Sequence, residues 1–147
     1  MGYLLETNVL IRLARKNGPQ RHEALVALRL LRSRNEDLYY TSQVLAEFWN
    51  VCTLPSSARG GLGLSIQETD RKSRIVEKYF TFLPDSAATH AEWRRLIVAH
   101  SVEGVQVHDA RIAASARVHR IGHVLTFNAV NFKRFSGIVA LAPNQVT

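Results

Sequence analysis

Residues 107–128 read VHDARIAASARVHRIGHVLTFN, and this stretch decides the fold class. In its first part, residues 107–121, apolar and small residues recur at helical spacing, which predicts a helix that ends at Gly122. Its second part, residues 124–126, is a short apolar run and predicts a buried strand. A helix that leads directly into a buried strand is typical of a parallel sheet covered by helices.

The same alternation of helix and strand continues through the rest of the chain. Short apolar runs predict four further strands with helices between them, at residues 3–5, 38–41, 80–83 and 138–141. Thr7 or Asn8 is expected to cap the first helix, and Ser42 the helix after the second strand. Residues 55–63, with their glycines and serines, predict a mobile loop. The predicted fold class is therefore α/β, with a central parallel sheet of four to five strands between two layers of helices.

Length, charge and cysteine content narrow the functional classes. The chain has 147 residues, which predicts a single domain over residues 1–147. Nineteen basic against 12 acidic residues give a net charge of +7, which favours a polyanionic partner, although a solvated basic surface is the alternative. A single cysteine, Cys52, permits no internal disulfide. Without a signal-peptide pattern or a long apolar run, we expect a cytoplasmic protein with no membrane segment.

Acidic and amide side chains recur where the predicted strands end. Glu6 follows the first strand, and Glu47 lies in the helix after the second. Asp109 begins the helix that precedes residues 124–126, and Asn128 and Asn131 come after that strand. Ligands of parallel sheets bind beyond the carboxyl ends of the strands, so we expect these side chains to converge there.

The surroundings of the three acids are apolar, which makes isolated charges costly. A shared cation removes that cost, and oxygen ligands of this kind suit Mg²⁺ or Mn²⁺. Simpler roles are also open at this point. Asp109 could cap its helix, Glu47 could be a half-exposed helix residue, and Glu6 could pair with Arg12.

Four stretches resemble the motifs of PIN domains: LLETNVLI at 4–11, LAEFW at 45–49, VHDARIAA at 107–114 and LTFNAVNF at 125–132. The resemblance extends from residue 3 to about residue 143. It implies a PIN-like three-layer α/β/α sandwich that carries an Mg²⁺- or Mn²⁺-dependent ribonuclease centre. Many small bacterial members look like VapC-type toxins, which an antitoxin encoded alongside holds inactive.

The resemblance also implies roles for individual residues. The catalytic positions correspond to Glu6, Glu47, Asp109 and Asn128, and the first three would hold the metal ion. Asn8, Thr126 and Asn131 would orient these groups. Two positions depart from the family pattern: Glu6 stands where aspartate is usual, and Asn131 where aspartate is frequent. A longer first acid and one charge fewer both predict weaker metal binding.

The sequence therefore predicts an Mg²⁺- or Mn²⁺-dependent endoribonuclease, the toxin of a toxin–antitoxin pair. We expect RNA to be its substrate and an antitoxin to be its protein partner. We also expect a homodimer, with Leu28, Leu31 and the helix after Ser65 as candidate dimer contacts. Basic residues near the motifs would contact RNA or form a solvated face: Arg12, Arg15, Lys16, Arg111, Lys133 and Arg134. Two alternatives stay open: a PIN-fold protein whose degraded metal site binds RNA or a protein without cleavage, and a basic module of a DNA-bound complex.

Overall fold

The computed structural model describes residues 1–147 and contains one sheet of five parallel strands. The strands are β1 (Gly2–Leu5), β2 (Asp37–Thr41), β3 (Thr81–Leu83), β4 (His123–Leu125) and β5 (Val139–Leu141). Their spatial order is β3-β2-β1-β4-β5. In the register, Leu5 of β1 lies beside Leu125 of β4, so these two central strands end at the same level.

Six α-helices connect the strands: α1 (Thr7–Ala14), α2 (Pro19–Ser33), α3 (Ser42–Thr53), α4 (Ile66–Tyr79), α5 (Ala87–Ala99) and α6 (Gln106–Val118). Two short 3₁₀ helices, Ala129–Phe132 and Pro143–Gln145, precede and follow β5. The first four helices pack on one another, and α5 packs on α6. Right-handed crossovers place these two groups on opposite faces of the sheet. The predicted α/β sandwich is confirmed, with five strands.

The centre of the sheet is buried on both faces. Leu4 and Leu5 of β1 and Val124 and Leu125 of β4 have no exposed surface. Strands covered by helices on both sides read as continuous apolar runs, because neither face meets water. The small residues of α6, among them Ala110, Ala113, Ala114 and Ala116, are also fully buried. They let α6 lie close to its neighbours and fix the helix whose first turn carries Asp109.

Three helix ends differ from the predictions. Glu6, rather than Thr7 or Asn8, is the N-cap residue of α1, and its side chain makes no capping bond. The side chain of Thr41 caps α3 by accepting a hydrogen bond from the Val44 N–H, and Ser42 is the first helical residue. The chain leaves α6 through Arg120, which has a φ of 56°, so a non-glycine residue takes the conformation expected of Gly122.

The loop at 55–63 is irregular, as predicted, and its second half is hydrogen-bonded to the end of α3. Its backbone folds back on the end of α3, where the last carbonyl groups of a helix have no partners within the helix. The N–H groups of Leu62 and Leu64 donate to the carbonyls of Val51 and Cys52 at 3.1 and 2.8 Å. The Gly63 N–H donates to the Leu54 carbonyl at 2.8 Å.

The Gly61→Ala substitution is expected to destabilise the protein by about 2 kcal/mol, because a new Cβ clashes with backbone that cannot move freely. That atom would lie 2.7 Å from the Leu54 carbonyl oxygen and closer still to that of Pro55. Gly122→Ala is the control, since no atom lies within 4 Å of its Cβ position. Urea denaturation measures both variants. Equal unfolding midpoints for the two would contradict the close approach at Gly61.

Two of the expected dimer contacts are interior. Leu31 is fully buried, so its predicted role at a dimer face is wrong, whereas Leu28 is 8% exposed and lines an open groove between α2 and α4. Both face the core because α2 packs its apolar side onto α1. The helix after Ser65, α4, exposes Ile66, Ile75 and Tyr79. None of the helices is long and apolar enough to cross a bilayer.

Candidate active site

The centre of the candidate site lies where β1 and β4 end side by side. The chain leaves β1 towards β2 on one side and leaves β4 towards β5 on the other. Ligands bind at such a switch point in open α/β sheets, because the diverging connections leave a crevice. Glu6 and Thr126 are the first residues beyond the two strands. The Glu6 N–H donates to the Leu125 carbonyl at 3.0 Å, which fixes the first acid to the neighbouring strand.

The Glu6 side chain is 8% exposed and hydrogen-bonded to a neutral partner. The Thr126 hydroxyl donates to Glu6 Oε2 at 2.7 Å. This hydroxyl in turn accepts from the side-chain amide of Asn8 at 3.2 Å and from the backbone N–H of Asn128 at 2.9 Å. Asn8 Oδ1 accepts from the Phe127 N–H at 3.1 Å. Asn8 and Thr126 therefore lie where the resemblance expects orienting residues.

The second acid, Glu47, is half-buried in α3 and uses both carboxylate oxygens. The Thr7 hydroxyl donates to Oε2 at 2.7 Å, and the Gln43 amide donates to Oε1 at 2.8 Å. The same Gln43 amide nitrogen donates to the main-chain carbonyl of His108 at 2.9 Å. The second acid is thus connected to α1 on one side and to the start of α6 on the other.

The third acid, Asp109, lies in the first turn of α6 and is half-buried. The Asn131 amide donates to Asp109 Oδ2 at 3.1 Å, so Asn131 contacts the acid as the orienting role requires. The Trp93 ring N–H donates to the Val107 carbonyl at 2.9 Å and fixes the beginning of this helix against α5. Position and orientation of Asp109 are therefore set by packing and by a neutral donor.

The acids repel one another and have no cationic partner. Five ion pairs are present in the chain, and none includes Glu6, Glu47 or Asp109. Burial raises the pKa of Glu6 to about 7, and repulsion from Asp109 and Glu47 adds to this, although the Thr126 hydroxyl opposes it. Burial also raises the pKa of Asp109, with a further rise from Glu47, against the effects of Asn131, His108 and Arg134. The site therefore favours a positive charge.

A three-ligand metal cluster is not formed, contrary to the expectation that Glu6, Glu47 and Asp109 meet around one ion. No group of three His, Cys, Asp or Glu side chains is placed to hold a metal. Each carboxylate is instead directed at its own neutral donor, because three like charges in a buried region avoid one another. The donor chemistry still fits Mg²⁺ or Mn²⁺, since Mg²⁺ commonly uses one or two carboxylates and completes its octahedron with water.

Two contacts to Glu47 were not predicted from the sequence. Thr7 was expected to cap α1, but its hydroxyl donates to Glu47. Gln43 stands four residues before Glu47 on a helix, a spacing at which side chains meet. That spacing is the signal that could have found Gln43. Nothing in the local sequence pairs Thr7 with Glu47, because the contact depends on how α1 packs against α3.

The basic residues expected to contact RNA differ in whether they already bind a partner within the protein. The Arg111 guanidinium is paired with Asp85 at 3.0 Å. Arg15 donates to the Gly60 carbonyl at 3.2 Å, and Arg12 and Arg134 donate to Gln20 and Gln106. Lys16 and Lys133 are exposed. Among these six residues, Arg134 interacts electrostatically with an acid of the site, because its charge lowers the pKa of Asp109.

The PIN domain family profile matches residues 3–138. The chain belongs to the PIN domain family, and the resemblance drawn from its four motifs is confirmed. No curated protein matches the chain by sequence.

Solved structures that resemble the fold include toxin–antitoxin proteins. The chain is similar to a chain of VapBC2 from Rickettsia felis, bound to a DNA fragment from its promoter, at 22% identity and a TM-score of 0.71, with 97% of this chain and 98% of that chain covered. A chain of FitAB bound to a DNA fragment gives 20% identity, a TM-score of 0.72 and coverage of 99% and 97%. VapC20 from Mycobacterium tuberculosis, a toxin that cleaves the sarcin-ricin loop, is 16% identical with a TM-score of 0.61. The match covers 83% of this chain and 86% of that chain.

Proposed function

We propose that this PIN domain is an Mg²⁺- or Mn²⁺-dependent endoribonuclease and the toxin of a toxin–antitoxin pair. One observation carries the proposal: Glu6, Glu47 and Asp109 come from three separate elements, repel one another and take part in no ion pair. Unpaired acids in a partly buried site are costly for stability, so a function that uses their charge accounts for them. VapC20, whose fold is similar, is a toxin that cleaves the sarcin-ricin loop.

In this mechanism Glu6 and Asp109 would hold the ion, and Glu47 would add a third negative charge. When bound, Mg²⁺ or Mn²⁺ would lower the pKa of a water molecule and neutralise charge on the scissile phosphate. Asp109 orients the attacking water or accepts its proton. The exposed amide of Asn128 positions the phosphate or the water, and Arg134 and Lys133 attract the RNA backbone.

The antitoxin partner is proposed on the shape and charge of a groove between α2 and α4. A cavity of about 650 Å³ is open there, and its floor and walls are apolar: Leu10, Leu13, Leu25, Ile75 and Val76. Its basic members are Arg21, Arg29, Arg32 and Lys72. This combination favours an amphipathic segment with acidic residues, as an antitoxin can supply. The similar fold of a chain in a toxin–antitoxin complex from Klebsiella pneumoniae supports this choice of partner.

Incubation of the purified protein with a structured RNA tests the nuclease. We expect cleavage with Mn²⁺ that chelator abolishes, because the acids without a cation repel the phosphate. Parallel titration calorimetry with Mn²⁺ alone measures binding independently of the choice of RNA. Cleavage that persists in chelator, or no cleavage together with no Mn²⁺ binding, would contradict the proposal. The second of these outcomes would favour the alternative of a PIN-fold protein that binds without cutting.

A further inference from the structure

We propose that Gln43 is a positioning residue that fixes the second acid relative to the third. This inference rests on the proposed function of the same site. Gln43 is the second residue of α3, is half-buried, and lies one helical turn before Glu47. It belongs to none of the four motifs that identify the family.

Both bonds of Gln43 are made by one atom. Its amide nitrogen donates to Glu47 Oε1 at 2.8 Å and to the His108 carbonyl at 2.9 Å. A side-chain amide has two N–H donors, so this group is fully used. The His108 carbonyl belongs to the peptide unit that continues into Asp109. One side chain therefore joins the carboxylate of the second acid to the backbone that carries the third.

Neutrality is the second argument for this role. A lysine or arginine at position 43 would pair with Glu47 and compete with the cation that the acids are proposed to bind. An amide directs the carboxylate without cancelling its charge. Groups that orient metal ligands through hydrogen bonds typically change metal affinity about 10–100-fold when they are removed.

The two hydrogen bonds of Gln43 join α3 to α6, and no other side-chain bond of the three acids does so. The Thr7 hydroxyl fixes the other oxygen of Glu47 to α1, and Asn131 fixes Asp109 from the far side. Without the Gln43 amide both acids remain, but the distance between them is no longer fixed.

The test is the Gln43→Met variant, which keeps the length and helix preference of the side chain but removes both donors. Gln67→Met is the matched control, because Gln67 is likewise the second residue of its helix and is exposed. For Gln43→Met we expect the Kd for Mn²⁺ alone, by calorimetry, to rise about tenfold. At saturating Mn²⁺ we expect a lower kcat with KM for RNA unchanged within about twofold, because Gln43 orients the acids and does not bind RNA. Gln67→Met should leave all three quantities unchanged.

The outcomes separate this inference from the proposed function. If wild-type protein binds Mn²⁺ and cleaves RNA, and Gln43→Met does both equally well while only its melting temperature falls, Gln43 is a helix contact and the inference is overturned. If wild-type protein neither binds Mn²⁺ nor cleaves, the proposed function fails and the role of Gln43 fails with it. A raised Kd and a lowered kcat in Gln43→Met alone support the inference.

Discussion

At pH 8 and without divalent cations, Glu6→Gln is expected to melt about 5–10 °C above the wild-type protein. The Glu6 side chain is 8% exposed, and burial, with repulsion from Asp109 and Glu47, raises its pKa to about 7. At pH 8 the folded wild-type protein must hold this carboxylate ionised in a buried place. Glutamine keeps the shape of the side chain and avoids that charge.

The sign of the pH dependence follows from proton linkage. The pKa of Glu6 is about 7 in the folded protein, above its ordinary value of 4.5. The folded state therefore holds this proton between these two pH values while the unfolded state has lost it, so stability falls as pH rises through the window. This decrease in the free energy of unfolding is complete above pH 7 and amounts to about 3 kcal/mol. Glu6→Gln should show no such fall from this site.

Thermal melts of both proteins at pH 5 and pH 8 measure the effect. At pH 5 the two should melt at similar temperatures, because Glu6 is largely protonated in the folded state. Glu103→Gln is the control, since Glu103 is exposed in the segment before α6 and should not alter the pH profile. Parallel pH profiles for wild-type and Glu6→Gln protein would show that Glu6 titrates normally.

Asp109→Asn is expected to lower the rate of RNA cleavage on the order of 10²–10⁴-fold, the usual contribution of a general base. The substitution preserves the size of the side chain and removes the charge that is proposed to hold the ion and accept the proton. Because burial raises the pKa of Asp109, its charge is a cost to folding, and the variant should be at least as stable as wild-type protein. Lost activity with retained stability is the signature of a functional rather than a structural acid.

Asp70→Asn is the matched control for this measurement. Asp70 lies in α4, has a side chain that is 46% exposed, and pairs with Arg74 at 2.9 Å, so its loss should cost little stability and no activity. Cleavage by Asp109→Asn within about fivefold of the wild-type rate would remove Asp109 from the mechanism.

The placement of the acids at the carboxyl edge of the sheet was predictable from the sequence because it depends on topology. Once the alternation of strands and helices indicates a parallel sheet, the residues that follow the strands must meet at one edge. Glu6 follows β1, and Thr126 and Asn128 follow β4, its neighbour in the sheet. The position of Asp109 in the first turn of α6 follows from the same reasoning.

The contacts around the acids were less predictable because they depend on packing. The bond from Thr7 to Glu47 requires α1 and α3 to lie side by side, and no local pattern states their distance. The left-handed conformation of Arg120 appears at a residue type that rarely adopts it, so glycine was the better expectation. The separation of the three carboxylates was also not predicted, because each is drawn to a donor from a different part of the chain.

The helices that carry the acids all begin at the same edge of the sheet. Glu6 is the N-cap residue of α1, Asp109 lies in the first turn of α6, and Glu47 is one turn into α3. The aligned peptide dipoles place about half a positive elementary charge at the start of each helix. This backbone field partly offsets the negative charge of the acids at every pH, because it cannot be titrated away. An electropositive background is thus built into the fold itself, independent of any lysine or arginine.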